Sequence, residues 1–229
     1  MPLSLQAVAF DLDDTLWEVE PVIARAERRA FDWLLEHCPR IPERHSIEDM
    51  RAARQQLARD EPHQAHDFTY LRIASLEQHA RECGYEQTVA TRAFEVFYAA
   101  RNEVELYPEV RSALERLRSR FSLASLTNGN ADLGRIGLAP LFHVSLSSRE
   151  VGVAKPHPRG FEELASRLKL RPEEILYVGD DPVIDVAAAR DAGMRSAWMN
   201  RGALQWPVKI AAADLVVRDC TELASMLGV

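Results

Sequence analysis

Short apolar runs recur along the chain at residues 5–10, 122–126, 144–146, 175–178, 195–198 and 214–217. Runs of that length bounded by polar or turn residues predict strands buried on both faces. Between and after them, apolar residues fall at helical spacing over residues 108–120, 158–168, 183–192 and 221–227. Strand and helix therefore alternate through the second half. That alternation predicts an α/β fold, with a parallel sheet covered by helices on both faces and right-handed crossovers.

Residues 21–104 break the rhythm. No strand pattern appears there, and amphipathic helices follow one another instead. Pro21 suits a first helical position, and Val22, Ile23, Ala26, Ala30, Trp33 and Leu34 recur at helical spacing behind it. Ser46 with Asp49 three residues on predicts a capping box, Thr88 is a candidate N-cap, and Gly84 suits a left-handed stop for a helix over 67–83. The expected organisation is a core built from 1–16 and 107–229, with a helical domain inserted at 17–106.

The chain has 229 residues, 47% of them hydrophobic, enough to bury a full core. Its formal net charge of -7, without runs of like charge, leaves no electrostatic footprint for nucleic acid or an anionic membrane. A small-molecule partner and a monomer or weak homodimer are expected. No segment reads as a secretion signal or a membrane span, so a cytoplasmic location is expected. Cys38, Cys83 and Cys220 are widely spaced, without a Cys-x-x-Cys pair, and indicate neither a disulfide framework nor a cysteine zinc site.

Candidate chemistry collects where predicted strands end. Asp11, Asp13, Asp14 and Thr15 follow the first strand, at the edge of an α/β sheet where ligands bind. An aspartate there can be a metal ligand, a nucleophile or both. The second strand ends in Thr127-Asn128-Gly129, and Lys155, one of only three lysines, stands just before a helix that a proline can start. Gly179-Asp180-Asp181 ends another strand, with Asp185 in the first turn of the next helix. Two acidic clusters ending parallel strands point to a shared hard cation. The seven histidines are placed outside the catalytic set.

Taken in order, Asp11-x-Asp13-x-Thr15, Thr127-Asn128, Lys155-Pro156 and Gly179-Asp180-Asp181-x3-Asp185 resemble the four motifs of the haloacid dehalogenase superfamily. The resemblance implies a Rossmann-like core with an inserted α-helical type 1 cap and a phosphoric monoester hydrolase activity. It assigns Asp11 as the nucleophile that forms an aspartyl-phosphate and Asp13 as general acid and base. Lys155 becomes the stabiliser of charge, and Thr127 with the amides around Asn128 binds the phosphoryl group. A Mg2+ ion would be held by Asp11, the Asp13 carbonyl and Asp180, with Asp185 as a further ligand or an orienter of its waters.

Whole-chain similarity further resembles bacterial riboflavin-pathway and flavin mononucleotide phosphatases. It implies flavin mononucleotide or 5-amino-6-(5-phospho-D-ribitylamino)uracil as the small-molecule phosphate ester, with Trp17, Tyr70 and Arg72 as candidate contacts to it. Alternatives are a general sugar-phosphate, nucleotide or phosphoglycolate phosphatase or phosphomutase, a 2-haloacid dehalogenase, and a non-enzymatic phospho-receiver module.

Overall fold

The computed structural model describes residues 5–207 and 209–229. Contacts divide them into two compact units. The first takes in residues 5–18, Glu105–Gly129 and Ile136–Val229, and the second Val19–Val104 with Asn130–Arg135. The chain thus leaves the first unit two residues later than the sequence suggests and re-enters it two residues earlier. A short stretch directly after Gly129 also joins the helical unit, which no periodicity announces.

The first unit holds six strands: β1 (Ala7–Phe10), β2 (Ser122–Thr127), β3 (Val144–Ser147), β4 (Ile175–Gly179), β5 (Arg195–Met199) and β6 (Leu215–Val217). They form one sheet in the order β3-β2-β1-β4-β5-β6, with every pairing parallel. Each of the six predicted runs became a strand. Every residue of β1 and β4 is buried, as strands covered on both faces require. Strand order runs outward from β1 to β3, then restarts at β4 and runs the other way. The β1–β4 boundary is therefore the topological switch point, where an open α/β sheet leaves a crevice beyond its strand ends.

In the second unit, α1 (Val19–His37), α2 (Ile47–Asp60), α3 (Phe68–Glu82) and α4 (Thr88–Arg101) form a bundle. The Ser46–Asp49 capping box is present at α2, and Gly84 is left-handed just beyond α3. Thr88 is the first helical residue of α4 and not its cap, with Gln87 at the cap position. Leu34, Ile41, Leu76, Ala90 and Ala93 close an apolar core. Within it Glu27 is buried and gathers Arg51 at 2.6 Å, Arg54, and Arg72 at 3.3 Å.

The remaining helices are α5 (Val110–Arg118), α6 (Leu133–Ile136), α7 (Ser148–Val151), α8 (Arg159–Leu168), α9 (Ala188–Asp191) and α10 (Cys220–Met226). The predicted helix at 183–192 is split. Pro182–Ala187 is a π-helical turn, in which the Val186 amide reaches back five residues to the Asp181 carbonyl, and α9 follows it. Such a wide turn re-aims side chains and recurs at functional sites. Among the described residues no helix is long and apolar enough to cross a membrane.

From α8, Phe161 packs edge-on against Tyr177 of β4, ring centroids 5.0 Å apart, and both are fully buried. Removing that ring leaves a cavity beneath the centre of the sheet. We expect Phe161→Ala to cost about 3–5 kcal/mol of unfolding free energy, read as a lowered urea midpoint. A midpoint equal to wild type would show that this layer is not closely packed.

Candidate active site

Asp11 follows β1 directly, and its amide still donates to the Val178 carbonyl of β4 at 2.8 Å. The sheet ladder thus extends one residue into the loop and fixes where the Asp11 carboxylate emerges. Its oxygen Oδ1 lies 2.6 Å from Lys155 Nζ. The same ammonium donates to Asp185 Oδ1 at 2.6 Å and to the Tyr177 hydroxyl at 2.9 Å. Tyr177 in turn donates to the Leu126 carbonyl of β2 at 2.7 Å. All three ammonium protons of Lys155 therefore have acceptors, which a buried cation requires.

The charges in this cluster are strongly coupled. Burial alone would push the Lys155 ammonium down, but Asp11 and Asp185 outweigh it and hold its pKa well above the ordinary lysine range. Burial pushes Asp11 well above the usual carboxylate range, with Asp185 and Asp13 adding to the rise and Lys155 opposing it. Asp180 is pushed up to about 7, first by burial and then by Asp185 and Asp14. Tyr177 is likewise held far up by burial and stays a neutral phenol able to donate.

One ammonium cannot balance the carboxylates gathered here. An oxygen from each of Asp11, Asp180 and Asp185 lies within 4.8 Å of the other two. This all-oxygen donor set, short of positive charge, fits a hard divalent cation such as magnesium, which prefers carboxylates and retains waters. Asp180 is held from both sides: Trp198 donates its indole N–H to the Asp180 carbonyl at 2.7 Å, and the Thr15 hydroxyl donates to Asp180 Oδ1 at 3.3 Å. Asp181 points elsewhere. Its carboxylate caps the amides of Val183 and Ile184, while its own amide donates to Asp185 Oδ2.

Gly179 makes room for this arrangement. A Cβ at that position would lie 2.4 Å from the Asp185 carboxylate, so no other residue fits without displacing it. The π-helical turn supplies the other half, carrying Asp185 back over the end of β4.

The loop after Asp11 is fixed by its own network. Asp14 is left-handed, its amide donates to the Trp17 carbonyl at 2.7 Å, and the Trp17 indole N–H donates to Asp13 Oδ1 at 2.9 Å. Arg201 donates twice to the Thr15 carbonyl, at 3.1 and 2.9 Å, pairs with Glu109 at 2.8 Å and stacks over Tyr107. The Asp13 carboxylate lies outside the three-oxygen cluster.

Thr127 and Asn128 end β2 as the sequence suggests, but their side chains are engaged differently. Thr127 Oγ1 accepts from the Gly129 amide at 3.0 Å and keeps its own proton to donate. Asn128 grips the Lys155 backbone at both ends, Oδ1 accepting from its amide at 2.7 Å and Nδ2 donating to its carbonyl at 3.0 Å. Ser148 donates to the Asn128 carbonyl at 3.1 Å. Sequence reasoning passed over Tyr177, Arg201 and the Asn128–Lys155 clamp. Tyr177 carried one local signal, a lone hydroxyl inside a buried strand.

The three residues expected to meet the leaving group are occupied within the protein. Trp17 is fully buried and belongs to the first unit. Tyr70 donates its hydroxyl to Glu61 at 2.8 Å. Arg72 binds Glu27 and lies over the Phe97 ring, 3.5 Å from its centroid.

Comparison with known proteins agrees with this geometry. The chain is 32% identical to 5-amino-6-(5-phospho-D-ribitylamino)uracil phosphatase YigB of Escherichia coli K12, over 86% of this chain and 84% of the relative. Among solved structures, a 2-haloacid dehalogenase from Pseudomonas syringae pv. Tomato DC3000 superposes with a TM-score of 0.92 at 36% identity, covering 97% of this chain and 98% of that one. A haloacid dehalogenase phosphatase from Thermococcus onnurineus follows with a TM-score of 0.70 at 25% identity, with 98% of each chain covered. The family pattern itself matches residues 5–193, and the chain belongs to the haloacid dehalogenase-like hydrolases.

Proposed function

We propose that this protein is a magnesium-dependent phosphatase that hydrolyses a small phosphomonoester through an aspartyl-phosphate on Asp11. The observation that carries the reading is the buried set of Asp11, Asp180 and Asp185 around Lys155 at the switch point of the sheet. Asp11, Asp180 and Asp185 would hold the ion, together with the Asp13 carbonyl. Bound there, magnesium supplies the positive charge that keeps these carboxylates ionised and neutralises the phosphoryl oxygens against an anionic nucleophile.

In this reading an Asp11 carboxylate oxygen attacks phosphorus as the bond to the leaving oxygen breaks. Asp13 gives that oxygen its proton. Water then attacks the phosphorus of the aspartyl-phosphate, Asp13 takes its proton, and the Asp11 carboxylate departs with phosphate released. The Trp17 indole orients Asp13 by donating to Oδ1. Lys155 stabilises the charge on Asp11 and on the transferring group, and Thr127 offers its hydroxyl proton to a phosphoryl oxygen. The Asn128 side chain contributes by positioning Lys155.

A dehalogenase is the second reading, because the Pseudomonas syringae structure with 36% identity is that of a 2-haloacid dehalogenase. Displacing a halide calls for no proton donor at the leaving group and leaves Asp13 and Asp180 without a task. Those two carboxylates favour phosphoryl transfer. For the substrate, the YigB likeness supports the ribitylaminouracil phosphate, and flavin mononucleotide carries the same ribityl phosphate arm. The helical unit acts as the cap that selects the leaving group and restricts water.

Asp11→Asn should lower phosphate release by roughly three orders of magnitude or more with the fold unchanged by circular dichroism. Wild-type turnover in that variant, with deamidation back to aspartate excluded by mass spectrometry, removes the nucleophile assignment.

Chelator should abolish turnover and magnesium restore it. Asp180 takes up a proton below about 7, and that proton competes with the ion, so calorimetric magnesium affinity should rise as pH increases through that value. The sign for stability runs the other way in the metal-free protein. Folded Asp180 keeps a proton that the unfolded chain has released, so stability falls as pH rises through about 7, and the thermal shift on adding magnesium grows. Affinity independent of pH across this range would place the ion elsewhere.

Specificity constants should be highest for the ribitylaminouracil phosphate and flavin mononucleotide. A clear preference for phosphoglycolate or glyceraldehyde 3-phosphate would overturn the flavin-pathway assignment and leave the phosphatase intact. Halide release from a 2-haloacid without phosphatase activity would overturn both.

A further inference from the structure

The helical unit contains a second group of metal-ligating side chains, made of softer donors. His45 stands one residue before Ser46, the cap of α2, and His79 and Glu82 lie on the last turn of α3. One ligand atom from each falls within 4.8 Å of the other two. His45 Nε2 is 3.5 Å from Glu82 Oε2, and His79 Nδ1 is 3.9 Å from the same oxygen. The two imidazole rings lie against each other, centroids 4.2 Å apart.

What makes this more than a surface cluster is the state of the histidines. His79 is only 3% exposed, yet neither of its ring nitrogens has a hydrogen-bond partner, and His45 Nε2 is also buried without one. Buried polar atoms are nearly always paired, and an orphaned one costs about 1–3 kcal/mol. Protonating both rings to pair them with Glu82 would set two like charges against each other, with ring centroids 4.2 Å apart. Burial, the neighbouring His45 and Arg54 all push the His79 pKa down, against Glu82 and Asp49, which favours the neutral, ligating form.

We propose that His45, His79 and Glu82 form a binding site for a zinc-class divalent cation that staples the entry of α2 to the end of α3. Two imidazoles and a carboxylate are the donors of a borderline transition metal rather than of magnesium. In a four-coordinate site with bonds of about 2.0–2.1 Å, neighbouring donors stand about 3.4 Å apart. The two separations to Glu82 Oε2, 3.5 and 3.9 Å, need to close by about half an ångström or less. Gln78 donates to Glu82 Oε1 at 2.9 Å, orienting the carboxylate and leaving Oε2 for the ion. Glu82 is exposed and His45 half-buried, so the fourth position opens to water. With separate donor chemistry, the acidic cluster of the core and this site would take different ions from the same solution.

The test uses the full chain, stripped of metal and held in excess magnesium to occupy the carboxylate cluster. Titration with cobalt(II) should give one equivalent with the visible bands of a four-coordinate ion, and zinc should displace it and raise the melting temperature. His45→Gln and Glu82→Gln, both at solvent-reaching positions, should each weaken binding by more than about tenfold and remove the thermal shift, while Asp180→Asn leaves the cobalt spectrum unchanged. His79→Gln is the weaker variant for this purpose, since its buried site can fail to fold. No stoichiometric cobalt or zinc binding in the wild type overturns the proposal. So does binding that survives both His45→Gln and Glu82→Gln.

Discussion

The ammonium of Lys155 is buried almost completely at the centre of the sheet, and the first unit is organised around satisfying it. A buried charge with an unmet donor would cost several kcal/mol. Its three acceptors come from three places in the chain: Asp11 beyond β1, Tyr177 within β4 and Asp185 in the π-helical turn. Moving any one of these by a residue leaves a proton without an acceptor. The sheet register, the hydroxyl inside β4 and the wide turn after it are therefore parts of one electrostatic arrangement.

Around that cation sits a layer of contacts whose effect is positional. Asn128 clamps the Lys155 backbone, Trp198 and Thr15 hold Asp180, Trp17 holds Asp13, and Arg201 pins the loop carbonyl of Thr15. Displacements of an ångström at a phosphoryl-transfer site cost large factors in rate. Locked first-contact groups of this kind are what such chemistry needs. Gly179 belongs to the same layer by having no side chain, since the Asp185 carboxylate fills the space a Cβ would take.

The helical unit handles charge in another way. Buried Glu27 is met by three arginines, so its carboxylate is surrounded by donors and Arg72 is spent inside the bundle. Burial pulls Arg72 down to about 9, with Arg54 adding and Glu27 opposing, which still leaves it charged near neutrality. His45 and His79 present the opposite case, with His45 Nε2 and both ring nitrogens of His79 buried without hydrogen-bond partners. Within one small bundle, one polar cluster is closed by protein partners and the other is left open for a ligand.

Much of this was legible in the amino-acid sequence. Short apolar runs specified the six strands, most clearly β1 and β4, which are buried throughout because a strand covered on both faces admits little else, and loss of that rhythm over 21–104 marked the helical insertion. Asp11, Thr127 and Asp180 at strand ends, with Lys155 ahead of a helix, pointed to the candidate site, since in a parallel sheet those strand ends converge by topology. The partners of each polar atom were not legible, because they depend on separations of up to 186 residues along the chain, as between Thr15 and Arg201. Asn128 and Arg72 looked available for substrate until folding placed acceptors and donors around them. His45 and His79 looked ordinary because nothing in their spacing shows that α2 and α3 bring them together. The sequence by itself determined which residues could do chemistry; tertiary packing decided which of them it left free, since hydrogen bonding and desolvation are settled only when distant segments meet.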